Sequence, residues 1–234
     1  MNTNKSMKLT RIAIFTVLAS FALLAMSGNW LMPGESRAAG QQGRGRINVT
    51  PPTYVQPELM QADAQESAAI FLDGKKPLRL EIAENGTRFS PDETPVFDDG
   101  LPAYGNEFLT EGYIYPAGTL SGPNGVNPDG SPEFPNKVIG RWYCRGWHVG
   151  DGAHTVSGPW VITHQLFDLD NTPGRITIAT DGFETPEVGA PVDRAITGGT
   201  GVFSEIRGDS TQVFLGFNPS FGVSLRVEIR PAKK

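Results

Sequence analysis

Apolar and polar residues alternate in short runs from residue 78 to the C-terminus, which is the pattern of half-buried β-strands. The run from Leu78 to Ile82 alternates in this way and ends at the turn signal Asn85-Gly86. The strongest alternation spans residues 138–149 and gives two faces. One face carries Arg141, Tyr143, Arg145 and Trp147, and the other carries Trp142, Cys144, Gly146 and His148.

Eight such runs predict eight strands, separated by turn signals and followed nowhere by a convincing helical period. The predicted strands are 78–82, 111–120, 138–149, 156–167, 175–180, 195–197, 211–217 and 223–229. Short links of this kind favour an antiparallel sandwich or barrel, and eight strands close into a barrel with room for side chains or one small ligand. Residues 121–137 are so rich in Gly, Pro and Asn that we predict an exposed insertion there.

The first forty residues follow a different pattern. Lys5, Lys8 and Arg11 precede an uncharged apolar run over 12–26, and small residues follow around Ala38. This predicts a secretory signal peptide over 1–38 and an exported protein, either periplasmic or extracellular. An uncleaved anchor that leaves the domain facing outside the cytoplasm is the alternative, and it would be the chain's only membrane contact. We expect 39–76 to be a leader with one short helix over 57–71, and 77–234 to be the barrel domain.

Charge narrows the range of partners. Removing the predicted signal peptide takes away four basic residues and one acidic residue, which leaves 16 Lys and Arg against 24 Asp and Glu. A domain with a net charge of −8 is poorly suited to nucleic acid or anionic membranes. Cys144 is the only cysteine, so an internal disulfide is excluded and the packed core must supply the stability.

A glycine-rich stretch, AITGGTG, occupies residues 195–201. Gly198, Gly199 and Gly201 supply close backbone approach and positive φ, so we predict a structural turn at the end of a strand. No helical period follows Gly201, which argues against a dinucleotide-binding loop.

Three segments in order resemble the allene oxide cyclase and dirigent barrel superfamily. They are EIAE with RFSP over 81–91, GDGAH with the following V-x-G-P-W over 150–160, and AITGGTG over 195–201. The resemblance implies an eight-stranded antiparallel up-and-down β-barrel that binds a small molecule, needs no cofactor and assembles as a trimer. Three positions depart from the family pattern. Ala83 stands in place of an asparagine, Trp160 in place of a tyrosine, and a cysteine of the family has no counterpart near Thr119.

The resemblance also implies a site. Glu81 matches the glutamate that polarises the substrate, and Pro91 and Asn106 match residues that hold it; Trp160 lies at the aromatic substrate position. The alternation over 138–149 suggests further substrate contacts if that face lines the barrel, where arginines and aromatic rings would bind an acidic ligand. These residues are Arg141, Tyr143, Arg145 and Trp147.

The sequence therefore predicts an exported barrel that binds a hydrophobic or amphipathic small molecule and steers its isomerisation or cyclisation. The alternative is a non-catalytic barrel, either ligand-binding or dirigent-like and structural. A third class is a module that mainly assembles with itself or a partner. The three histidines, His148, His154 and His164, have no metal-ligand spacing, so no metal site is predicted.

Overall fold

The computed structural model describes residues 77–169 and 172–232. The predicted signal peptide or anchor over 1–38, the leader over 39–76 and its helix over 57–71 lie outside these residues. Within the described part of the chain, no helix is long and apolar enough to cross a membrane.

In the described residues, nine strands form one antiparallel sheet. In chain order, β1 to β9 are Leu78–Glu84, Ser90–Pro91, Glu107–Pro116, Gly140–His148, Val161–Asp168, Thr177–Glu184, Pro191–Gly199, Gly208–Phe217 and Val223–Pro231. Single 3-10 turns lie between some of them, at Gly86–Arg88, Pro135–Lys137, Gly152–His154 and Gly201–Phe203.

The sheet closes on itself. Each strand from β3 to β8 pairs with the next strand in the chain, and β9 pairs with β1. The ring closes where β1 pairs with β3, from Leu80↔Pro116 to Glu84↔Gly112. The two-residue β2 extends the same edge of β3 beyond the end of β1. The predicted eight-stranded antiparallel up-and-down barrel is confirmed, with β2 as a short addition.

The barrel interior has two parts. In one part the strands pack large apolar side chains against each other, among them Leu80, Ile82, Phe167, Ile178 and Ile229, all of them buried. The other part begins where β1 reaches Glu84, and there the interior side chains become polar and then aromatic around an open cavity. The core thus supports the cavity from one end of the barrel.

The segment between β3 and β4 corrects the sequence prediction of an exposed insertion. It covers the outer face of β1 and β3, where Leu120 and Val126 are buried in a second apolar cluster with Tyr113 and Tyr115. The hydroxyl of Tyr115 donates a hydrogen bond to the carbonyl of Gly125 at 2.6 Å. Composition alone misled here because a few buried residues anchor a segment that is mostly Gly, Pro and Asn.

Candidate functional site

A cavity of about 290 Å³ lies inside the barrel beyond the apolar core. This volume is near the lower end of the range of about 300–1,000 Å³ that small-molecule sites occupy. Its lining includes two carboxylates, Glu84 and Glu184, and a large share of rings. The rings are those of Phe89, Phe108, Trp142, His148, Trp160, Phe217 and Phe221.

Glu84 ends β1 and is buried inside the barrel. The Thr110 hydroxyl of β3 donates to Glu84 Oε1 at 2.5 Å, and the Val223 N–H of β9 donates to Oε2 at 2.7 Å. Burial raises the pKa of Glu84 from its ordinary 4.5 to about 7, because those two hydrogen bonds only partly offset the loss of hydration. The charge of Glu184 raises this pKa further.

Glu184 ends β6 and is held by a polar layer that crosses the barrel. Its Oε1 accepts hydrogen bonds from Thr163 at 2.6 Å and Gln165 at 2.9 Å, and its Oε2 accepts one from Gln212 at 3.1 Å. The buried guanidinium of Arg194 lies 3.8 Å from Oε1. Glu184 therefore has a protein counter-ion, and the layer fixes where its carboxylate faces the cavity.

The rings form a connected wall. Phe89, Phe108, His148, Trp160 and Phe217 follow one another with centroid separations of 5.4, 5.2, 6.4 and 6.1 Å. Neighbouring rings at these distances and tilted angles stabilise each other. The result is a largely apolar cavity wall with a fixed shape.

Three groups in this wall bear on the chemistry. Burial lowers the pKa of His148 below its ordinary 6.5, so its imidazole is neutral at neutral pH. The indole N–H groups of Trp142 and Trp160 are buried and have no hydrogen-bond partner in the protein. Neither nitrogen atom is accessible from the cavity, so the two indoles contribute ring surface to the wall rather than a hydrogen bond to a ligand.

The turn between β8 and β9 presents Phe221 at the cavity mouth. Phe221 is 79% exposed and has a φ of 68°, a conformation that is uncommon for a bulky residue. The turn is tied to β1, since the Asn218 side chain donates to the Glu84 carbonyl at 2.8 Å and the Gly86 N–H donates to Ser220 Oγ at 3.0 Å. An exposed ring held in a strained turn at a cavity entrance is typical of a ligand contact.

Glu81 lies on the opposite face of β1 from the cavity. Strand alternation directs Leu80 and Ile82 into the core and Glu81 outward, where the segment between β3 and β4 buries it. Its carboxylate accepts a hydrogen bond from the Leu120 N–H at 2.7 Å and lies 3.5 Å from Arg226 Nε. The catalytic role expected of Glu81 stays an untested prediction, and the carboxylates in the cavity are Glu84 and Glu184.

The other predicted substrate contacts divide into two groups. Trp160 lines the cavity. Pro91 is exposed in β2, and Asn106 is buried beside the cavity with its amide donating to the carbonyls of Asp92 and Pro95. Neither residue lines the cavity.

The four β4 residues that were predicted to contact substrate face away from the cavity as well. Trp142 and Cys144 point into the barrel, so their neighbours in sequence lie on its outer face, because alternation allows only one set inside. The outer set is Arg141, Tyr143, Arg145 and Trp147. Their predicted contacts with substrate stay predictions without support from the cavity geometry.

The glycine stretch lies at the far end of β7, outside the cavity. Gly198 and Gly199 end β7, and Gly201 begins a 3-10 turn with a φ of 58°. None of the three lines the cavity. Across residues 77–169 and 172–232, no group of three His, Cys, Asp or Glu side chains is placed to hold a metal ion.

Sequence reasoning missed both cavity carboxylates, although a signal for them was present. Glu84 has the same strand parity as the core residues Leu78, Leu80 and Ile82, and Glu184 has the same parity as Ile178. A charged residue in phase with an apolar face is a candidate for an interior functional group.

Solved structures similar to this chain include three proteins. One is a pyocyanin demethylase, with 16% identity and a TM-score of 0.40 over 64% of this chain and 98% of that one. Two are pterocarpan synthase dirigent proteins. The first has 13% identity and a TM-score of 0.48 over 68% of this chain and 96% of that one, and the second has 14% and 0.44 over 65% and 84%.

The strand order and closure identify the architecture independently of these likenesses. The closed eight-stranded antiparallel barrel that the sequence resemblance implied is present in the structure. No protein-family model matches the chain, and no curated protein matches it. The barrel encloses a cavity of about 290 Å³, close to the size of small-molecule sites.

Proposed function

We propose that this protein binds a hydrophobic or amphipathic small molecule in the barrel cavity and steers its isomerisation or cyclisation, with Glu84 transferring the proton. The observation that carries the proposal is a buried carboxyl in a ring-lined cavity, with its pKa raised to about 7. A general acid or base works best when its pKa is near the working pH.

The chemistry follows from this one group. The Glu84 carboxylate takes a proton from a carbon next to a double bond of the bound molecule. The electron pair of that C–H bond forms a new double bond, and the electron pair of the old double bond moves to its far atom. The resulting carboxylic acid returns the proton to that far atom, so the product is an isomer with a shifted double bond. The ring wall restricts water and holds one conformer of the substrate, which directs where the proton returns.

A non-catalytic ligand-binding barrel is the second candidate. It is favoured by the fact that both oxygens of Glu84 accept hydrogen bonds, from Thr110 and Val223. These bonds join the ends of β1, β3 and β9, so Glu84 would then serve as a structural tie in the wall of a passive cavity.

Deuterium uptake distinguishes the two candidates. Molecules that co-purify with the exported protein are identified by mass spectrometry and returned to the purified protein in D₂O. We expect the wild-type protein to catalyse deuterium incorporation at carbon and Glu84→Gln to reduce the rate by about 100-fold or more, with binding retained. Glu81→Gln is expected to keep the wild-type rate, because Glu81 lies outside the cavity.

Three results are informative. Loss of incorporation in Glu81→Gln alone would transfer the catalytic role to Glu81. Equal incorporation by Glu84→Gln and the wild-type protein, with equal binding, would remove Glu84 from the chemistry. Binding without any incorporation in the wild-type protein would support the passive barrel.

A further inference from the structure

The carboxylates that line the cavity give it a negative charge. Of the residues the structure describes, those that line it include the carboxylates of Glu84 and Glu184 and no lysine or arginine. An anionic ligand would meet like charge in a site with little water, which is costly. The cavity therefore disfavours an acidic ligand. Such a ligand was expected only if the face of β4 that carries the arginines lined the barrel.

The two carboxylates differ in their counter-ions. Glu184 lies 3.8 Å from Arg194, which is buried behind it and does not line the cavity. Among the described residues, no Lys or Arg forms an ion pair with Glu84. The cavity thus has one carboxyl group whose charge the protein leaves uncompensated.

The ring wall suits a positive charge. The faces of aromatic rings attract cations, and a cage of rings with a nearby carboxylate is a common way to bind quaternary ammonium groups. Five rings stand in a connected series around this cavity, from Phe89 to Phe217. Phe221 adds an exposed ring at its mouth.

We propose that the cavity ligand is an organic cation, with a quaternary or protonated nitrogen on an apolar body. The positive charge compensates Glu84, and the body fills the ring-lined space. This inference deepens the proposed function, on which it rests, by naming the charge class of the substrate.

Binding of a cation must shift the ionisation of Glu84. The other groups that face it are Glu184 on β6, Cys144 and His148 on β4, and Arg194 behind Glu184 on β7. Burial raises the pKa of the Cys144 thiol and lowers that of His148, so both stay neutral near pH 7. Glu84 is thus the group whose protonation opposes cation binding as the pH falls through about 7.

The test uses two probes of the same shape. 3-Methoxyphenyltrimethylammonium is a permanent cation and 3-tert-butylanisole is its neutral isostere, and neither titrates between pH 5 and 8. Affinities are measured for both by calorimetry or fluorescence quenching at several pH values. At pH 8 we expect the cation to bind about tenfold more tightly than the neutral probe. As the pH falls from 8 to 5 and Glu84 is protonated, this preference should fall to about twofold or less.

Two variants localise the effect. Glu84→Gln keeps the side-chain volume and should reduce the preference for the cation to about twofold or less at every pH. Glu228→Gln removes the same charge from the outer face, where Glu228 accepts a hydrogen bond from Arg79, and should leave the preference unchanged. The pH dependence of the wild-type protein gives the same information without a substitution.

The proposal is overturned if the neutral probe binds as tightly as the cation at pH 8, if Glu84→Gln retains the preference, or if neither probe binds. Its failure is separable from that of the proposed function. Tight binding of the neutral probe together with deuterium incorporation would leave the isomerase proposal intact. A clear cation preference without incorporation would instead leave a passive cation-binding barrel.

Discussion

At the scale of single residues, the cavity depends on the cost of burying a carboxyl group. Glu84 has two hydrogen bonds and no counter-ion in the described residues, whereas Glu184 has three hydrogen bonds and Arg194 nearby. An ionised carboxylate buried with so little compensation reduces stability, which is why the pKa of Glu84 is raised to about 7. A ligand that compensates the charge of Glu84 is therefore expected to raise the stability of the folded protein.

This cost predicts a pH dependence of folding. Because the folded-state pKa of Glu84 is about 7 and its ordinary value is 4.5, the folded protein binds this proton more tightly than the unfolded chain does. Its stabilising contribution is complete below about pH 4.5 and is lost as the pH rises through 7. The loss amounts to about 3 kcal/mol.

Chemical denaturation of the wild-type protein and Glu84→Gln at a series of pH values measures this contribution. The amide has no proton to lose, so the difference in unfolding free energy between the two proteins should change by about 3 kcal/mol between pH 4.5 and 8. Any hydrogen bond lost in the variant adds an offset that does not vary with pH. A constant difference across the range would show that Glu84 ionises in the folded protein as it does in water.

At the scale of elements, period-two alternation explains how much the sequence could predict. It gave the eight long strands with boundaries a few residues away from those observed, because each strand has one face in the core. It also separated the faces of β4 but left open which face lies inside, since Trp142 and Trp147 are both large and apolar. Glu81 and Glu84 show the same limit, because only the parity of Leu80 and Ile82 distinguishes them.

The sequence predicts the β3–β4 segment least well, because its packing depends on partners distant in the chain. Leu120 and Val126 pack against Tyr113 and Tyr115 of β3 and Ala83 of β1. No periodicity within the segment itself signals those contacts. A segment with little secondary structure, one 3-10 turn at Pro135–Lys137 and one isolated bridge between Val126 and Pro132, is nevertheless part of the folded unit.

The packing of the segment between β3 and β4 predicts that shortening a buried valine there lowers stability more than shortening an exposed valine. Val126 is fully buried and Val156 is 86% exposed, so Val126→Ala should lower the unfolding free energy by about 2 kcal/mol. Val156→Ala is the matched control and should change it by less than about 0.5 kcal/mol. Urea denaturation of both variants checks this, and equal effects would mean that the segment is exposed as its composition suggests.

At the scale of the whole molecule, closure of the barrel creates the cavity and also removes its free edges. The seam between β1 and β3 completes the ring and ends at Glu84↔Gly112, beside the cavity. An eight-stranded sheet left open would expose strand edges, which promote aggregation. The same seam thus borders the cavity and pairs the edges of β1 and β3.

Gly112 makes this seam possible and gives the test of it. A Cβ atom there would lie 2.5 Å from the Ala83 carbonyl oxygen and 2.7 Å from Glu84 Cα, so Gly112→Ala must push β1 away from β3. We expect a loss of about 1–3 kcal/mol in unfolding free energy, together with aggregation detected by light scattering.

Gly198→Ala is the matched control, because Gly198 is also in a strand but a Cβ atom there meets nothing within 4 Å. The control should stay monodisperse and at least as stable as the wild-type protein, since alanine restricts the unfolded chain. If Gly112→Ala behaved like Gly198→Ala, β1 would tolerate displacement, and the position of Glu84 at the cavity would no longer depend on a tight seam. Retained cation preference in a Gly112→Ala protein that is destabilised would lead to the same conclusion.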